Sequence, residues 1–107
     1  MEKINIDTIK KMVKAEKIRW TNHVMVRLLQ RNISQNDIQH ALLSGEIIEE
    51  YENDYPYPSC LVYGITLNNE IIHVVCGLNE LELWIITAYY PDNIKWKENF
   101  KTRKEIN

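Results

Sequence analysis

Between Asn32 and Asp92 the chain contains no lysine or arginine at all. That 61-residue stretch holds ten acids, a local charge of −10. Residues 1–31 carry eight Lys/Arg against three acids, and residues 93–107 carry five against two. A general nucleic-acid coat is basic throughout, so this segregation argues against strong non-specific binding to long duplexes. It leaves open a basic patch made by bringing the two ends together. Cysteine is scarce: Cys60 and Cys76 lie far from any CxxC spacing, which suggests neither a zinc ribbon nor a redox motif and leaves buried free thiols as the expectation. No apolar run reaches the length that crosses a bilayer, and the start, MEKINIDTIKKM, lacks the hydrophobic segment of a secretory signal. No membrane association and a cytoplasmic location are expected. A P-loop, a Rossmann glycine pattern, an HExxH motif, internal repeats and low-complexity tracts are missing as well. No cofactor and no metal site are predicted.

With 107 residues, 45% hydrophobic content and only three Gly and three Pro, the chain suits one globular domain over residues 1–107. The stretch that stands out is Thr21–Arg31, in which His23, Arg27 and Arg31 recur every fourth residue among Val24, Met25, Leu28 and Leu29. At 3.6 residues per turn the three lie on one helical face, each about 6 Å further along the axis. The result is a cationic ladder, either a phosphate-binding device or an ordinary wet face.

Asn5 or Asp7 is placed to cap a preceding helix with Ile9, Met12 and Val13 inward. Ile18-Arg19-Trp20 reads as a short link, and Thr21 or Asn22 caps the ladder helix. Ser34 and Asp37 match a capping box, after which Ile38, Ala41 and Leu42 form a narrow buried stripe and Gly45 is expected as a left-handed stop. His40 is assigned a structural role. From Glu46 the period becomes strand-like: Glu46–Tyr51, then an irregular tyrosine- and acid-rich loop, then runs over 60–67, 71–76 and 82–90, with a tight turn at Asn68–Glu70. Alternation puts Ile71, His73 and Val75 on one face, and Leu83, Ile85, Thr87 and Tyr89 on one face of the last strand. A basic tail around Trp96, Phe100 and Arg103 is expected to fold back as a short helix. The order implies an α+β domain with N-terminal helices on a four-stranded, mainly antiparallel sheet.

His23, Arg27 and Arg31-Asn32-Ile33, followed by Asp37-Ile38, Ala41-Leu42, Gly45-Glu46, Ile48-Glu49, Tyr51, Pro58-Ser59, Ile72-His73-Val74-Val75, Ile86-Thr87, Tyr89 and Pro91-Asp92, together resemble the family named domain of unknown function 4258. The resemblance runs from about residue 18 to 96. That family is similar in organisation to the RelE, HigB and BrnT toxins, small α+β ribonucleases of bacterial toxin–antitoxin pairs. The resemblance implies RNA as substrate, a cognate antitoxin as partner and a RelE/BrnT-like fold. Metal-independent cleavage uses the substrate 2′-hydroxyl as nucleophile, so the protein supplies a base, an acid and cations. His23 and His73 are the candidates for proton transfer, with Tyr89 and Tyr51 to assist or orient. Arg27 and Arg31 are the candidates for phosphate, with Thr87 and Glu49 as lesser site members.

RelE-like ribonucleases generally carry basic residues on the sheet too, and this chain has none there. The competing expectation is a non-catalytic protein-interaction module of the same fold, its acidic tyrosine-rich strand facing a protein partner and Arg27 or Arg31 pairing with Glu46 or Glu49. Catalysis requires His23, Arg27 and His73 or Tyr89 around one solvent-open cleft. A sealed Arg–Glu network over the sheet argues for the module.

Overall fold

The computed structural model describes residues 4–105. Three helices come first, α1 (Ile6–Lys14), α2 (Asn22–Gln30) and α3 (Gln35–Ser44). Each begins at a side-chain cap: Asn5 accepts from the Thr8 amide, Thr21 from the Val24 amide, and Ser34 and Asp37 form the reciprocal capping box. Asn32, at φ 57°, ends α2, with the Ile33 amide donating to the Leu28 carbonyl and the Asn32 amide to that of Leu29, the Schellman pairing. Gly45 does not play the left-handed part expected of it. Its φ is −97°, and glycine is needed there for close approach, because a Cβ would sit 2.5 Å from the Ala41 carbonyl oxygen and 2.6 Å from that of Tyr63. Gly64 makes the same contact from the sheet side, 2.2 Å from the Ala41 oxygen. These two glycines let α3 lie flush on the sheet.

Five strands follow the order β1-β5-β4-β3-β2, built from β1 (Ile18–Arg19), β2 (Glu46–Tyr51), β3 (Ser59–Ile65), β4 (Ile71–Leu78) and β5 (Leu83–Tyr89). The expectation of four strands is therefore corrected. Ile18-Arg19, read as a link, pairs in parallel with Leu83 and Trp84, so the sheet is mixed and open rather than four-stranded. Two residues in extended conformation carry no periodic signal of their own; their partner 65 residues away makes them a strand. The other pairs are antiparallel, and Asn69, at φ 62°, turns the β3–β4 hairpin.

A bulge at Ile86 alters which way β5 faces. Cys76 pairs with Ile85 but Val75 with Thr87, so one extra residue shifts the alternation. Leu83 and Ile85 consequently face the helices, whereas Thr87 and Tyr89 share the opposite face with Val75 and His73. The single face expected for all four is thus split in two. On the helix side, Ile9, Val13, Val24, Leu28, Ile38, Ala41 and Leu42 close over Cys60, Val62, Ile72, Val74, Cys76, Leu83, Ile85 and Ala88, forming the main core. Trp20 packs half-buried at its margin. Cys60 and Cys76 are buried free thiols, directly paired across β3 and β4 with sulfurs 3.8 Å apart.

Opposite the helices lies the C-terminal segment. In place of the expected short helix it forms a small hairpin: Trp96 bridges Arg103, the Lys97 amide donates to the Thr102 carbonyl, the Lys104 amide to that of Lys95, and Phe100 turns it at φ 55°. Among the described residues no helix is long and apolar enough to cross a membrane.

Candidate functional site

The predicted site residues occupy two separate places. On α2, burial of Val24 and Leu28 turns His23 and Arg27 outward. Both are exposed, and among the described residues neither side chain makes a hydrogen bond or ion pair. Beside them Val26 and Leu29 are exposed as well, Leu29 at 82%. Arg31, at the C-terminal cap, bends toward the edge of β5 that β1 leaves uncovered: its Nη1 donates to the Ala88 carbonyl at 2.8 Å and to the Thr87 hydroxyl at 3.0 Å. This contact joins one ladder member to one predicted sheet residue. Neither Arg27 nor Arg31 meets Glu46 or Glu49, so the pairing expected of an interaction module is not formed, and those acids pair with other residues.

Those residues belong to the hairpin. Glu46, Glu49 and Tyr51 on β2, Tyr63 on β3, His73 on β4 and Tyr89 on β5 share the sheet face away from the helices, as their register requires. Arg103 lies across it, with Nε 2.7 Å and Nη2 3.0 Å from the two Glu49 carboxylate oxygens, a bidentate fork. The Tyr51 hydroxyl donates to the same carboxylate. Lys101 pairs with Glu46 at 2.9 Å and stands 4.8 Å above the Tyr63 ring. The guanidinium of Arg103 also covers the Trp96 ring at 4.6 Å.

His73 lies beneath this layer with no exposed surface. Trp96 meets its ring edge-on, centroids 4.4 Å apart and planes at 84°, and Tyr89 meets it at 5.4 Å. Nε2 lies 2.6 Å from the Phe100 carbonyl oxygen, which can only accept, so the network assigns the proton to Nε2. Nδ1 then accepts a long, 3.4 Å hydrogen bond from the Tyr89 hydroxyl. Burial pulls the His73 pKa below its ordinary value of 6.5, a trend opposed by the Phe100 carbonyl and the Glu49 charge. Burial therefore favours the neutral imidazole, whose ring nitrogens meet the Phe100 carbonyl and the Tyr89 hydroxyl.

The pKa directions along β2 reflect the same layer. Burial raises the Glu49 carboxyl, yet hydrogen bonds from Arg103 and Tyr51 more than offset it, so Glu49 ionises below its ordinary 4.5. Burial and then the Glu49 hydrogen bond push Tyr51 up to about 12. Burial also raises Tyr89. Neither tyrosine is poised to lose a proton near neutral pH.

His40, outside both places, has Nδ1 2.8 Å from the Ile65 carbonyl oxygen. Tyr55 is almost fully exposed and Tyr57 packs on Trp84. A groove of about 800 Å³ opens between α1 and the turns at 56–58 and 78–81, and no predicted site residue lines it. Among the described residues no group of three or more His, Cys, Asp or Glu side chains is gathered to hold a metal. Sequence reasoning missed Arg103, Lys101 and Trp96 as members of the sheet-face cluster. The cation-free middle was the available signal, since Glu46 and Glu49 had to find cations outside residues 32–92.

Fold and site together define a small α+β domain whose helices cover one sheet face and whose terminal hairpin covers the other. A family model described as "Domain of unknown function (DUF4258)" matches residues 20–90, and the chain belongs to that family. No curated protein and no solved structure matches it.

Proposed function

We propose that this chain is a non-catalytic protein-interaction module whose recognition surface is the acidic, aromatic sheet face. One observation supports the reading: the chemistry-bearing residues of that face are already engaged by the chain's own hairpin, Glu49 with the Arg103 guanidinium and His73 with the Trp96 ring and the Phe100 carbonyl oxygen. A general base needs access to the proton that it abstracts, and His73 has none. His23 and Arg27 lie on the outer face of α2, away from this cluster, so the single open cleft required for catalysis is not assembled. Purified chain incubated with a mixed RNA pool leaves it intact on this reading. Cleavage that disappears in both His23→Ala and His73→Ala sinks it.

A second reading, a RelE/HigB/BrnT-like metal-independent ribonuclease restrained by a cognate antitoxin, is favoured by one observation: the His73 imidazole and the Tyr89 hydroxyl touch on one face, while the His23 and Arg27 side chains have no partner among the described residues. It requires the hairpin to leave the sheet. Induction in cells discriminates, because this reading gives growth arrest relieved by His23→Ala and a small antitoxin gene alongside, whereas the module gives neither.

A further inference from the structure

We propose that the sheet face is a peptide-docking site, occupied in cis by the chain's own 91–105 segment, and that it takes in trans a partner protein's segment bearing an aromatic residue followed by a lysine and an arginine. The inference rests on the interaction-module reading and adds the partner's chemistry. Three subsites are laid out. The His73 ring packs perpendicular to an aromatic ring while Nε2–H donates to a backbone carbonyl. Glu46 and the Tyr63 ring receive an ammonium group. Glu49, oriented by Tyr51, receives a guanidinium with both oxygens. Trp96, Lys101 and Arg103 fill them in that order. The acids Glu46 and Glu49 repel phosphate, which favours a basic peptide over RNA at this face.

The hairpin resembles a ligand more than a part of the sheet. Its backbone hydrogen bonds run within itself, from Lys97 to Thr102 and from Lys104 to Lys95. It reaches the sheet through side chains and the Phe100 carbonyl. The family match over residues 20–90 includes the face, with Glu46, Glu49, Tyr51, Tyr63, His73 and Tyr89, but not the segment lying on it. A tethered segment faces its site at an effective concentration on the order of millimolar, so a competitor in trans is excluded until the cis contacts weaken.

The test uses a labelled peptide of residues 91–105 and fluorescence anisotropy with the full chain. Lys101→Ala with Arg103→Ala changes two exposed side chains and weakens cis occupancy; adding Trp96→Ala weakens it further. The double variant is expected to bind the peptide at least tenfold more tightly than wild type, and Glu49→Gln on that background to lose at least tenfold. Equal binding by wild type, the double variant and the variant with Trp96→Ala added, each shown folded by circular dichroism, overturns the proposal, as does binding indifferent to Glu49→Gln. Size exclusion at rising concentration tests the occupant. A monomer that binds peptide supports a separate partner, whereas a dimer dissolved by the peptide assigns the face to a second copy and overturns that choice. RNA cleavage by a chain that still binds peptide sinks the module reading alone; failed peptide binding with RNA intact sinks only the docking site.

Discussion

The outer face of α2 and the sheet face under the hairpin each bring together an imidazole and a guanidinium, the latter supplied to the sheet by the hairpin, yet opposite fates follow from their surroundings. On α2, His23 and Arg27 stand in solvent with no partner among the described residues. On the sheet, His73 is buried and Arg103 is locked to Glu49. Residue type alone therefore does not mark a reactive site here. Water access separates the two surfaces, and the 91–105 hairpin controls that access on the sheet.

Removing the hairpin's anchor breaks this difference most directly. Trp96→Ala deletes a buried ring and is expected to cost about 3–5 kcal/mol of stability, read as a lowered urea midpoint, together with uncovering of His73. His73→Ala comes next. It leaves the Phe100 carbonyl without its donor, and about 1–3 kcal/mol is the expected loss in thermal or chemical melts. Arg103→Ala breaks a fork whose arginine is half-exposed, so about 1 kcal/mol or less is expected, and the loss should shrink at high salt. The smallest effects belong to α2, where His23→Ala and Arg27→Ala should stay within about 0.5 kcal/mol of wild type by calorimetry.

Acid should sharpen the contrast. Both relevant groups on the sheet face have folded-state pKa values below their unfolded ones, so the unfolded chain binds more protons and stability rises with pH. His73 contributes a loss that begins as pH falls through its ordinary 6.5. Glu49 adds a further loss as pH falls below 4.5 and through its folded value. Urea titrations at pH 8, 6 and 4 are expected to give steadily lower midpoints, and His73→Phe to flatten the first interval. A midpoint that rises on acidification would contradict both shifts.

Much of the fold was legible because its signals are local. The capping box at Ser34 and Asp37, the caps at Asn5 and Thr21, and the Glu46–Tyr51 strand are each written within a few residues. What escaped depends on distant partners. β1 is a strand only because Leu83 and Trp84 lie beside it, and the bulge at Ile86 appears only in the register between β4 and β5. The candidate site divided the same way. Alternation put His73 on a face and segregation of charge flagged the missing cations, but nothing near Glu49 announced Arg103, 54 residues on. Gly45 taught a related lesson, since a helix-ending glycine can serve close packing and not a left-handed turn.

The hairpin seals His73 into a cradle rather than leaving it in a reactive cleft. Nitrogen-15 NMR of the imidazole in the intact chain tests it most directly. A sealed imidazole is expected to be neutral and protonated at Nε2 at pH 7, with a pKa below 6.5 and a slowly exchanging Nε2 proton. A ring that titrates at or above 6.5, with its proton in rapid exchange with water, would contradict it.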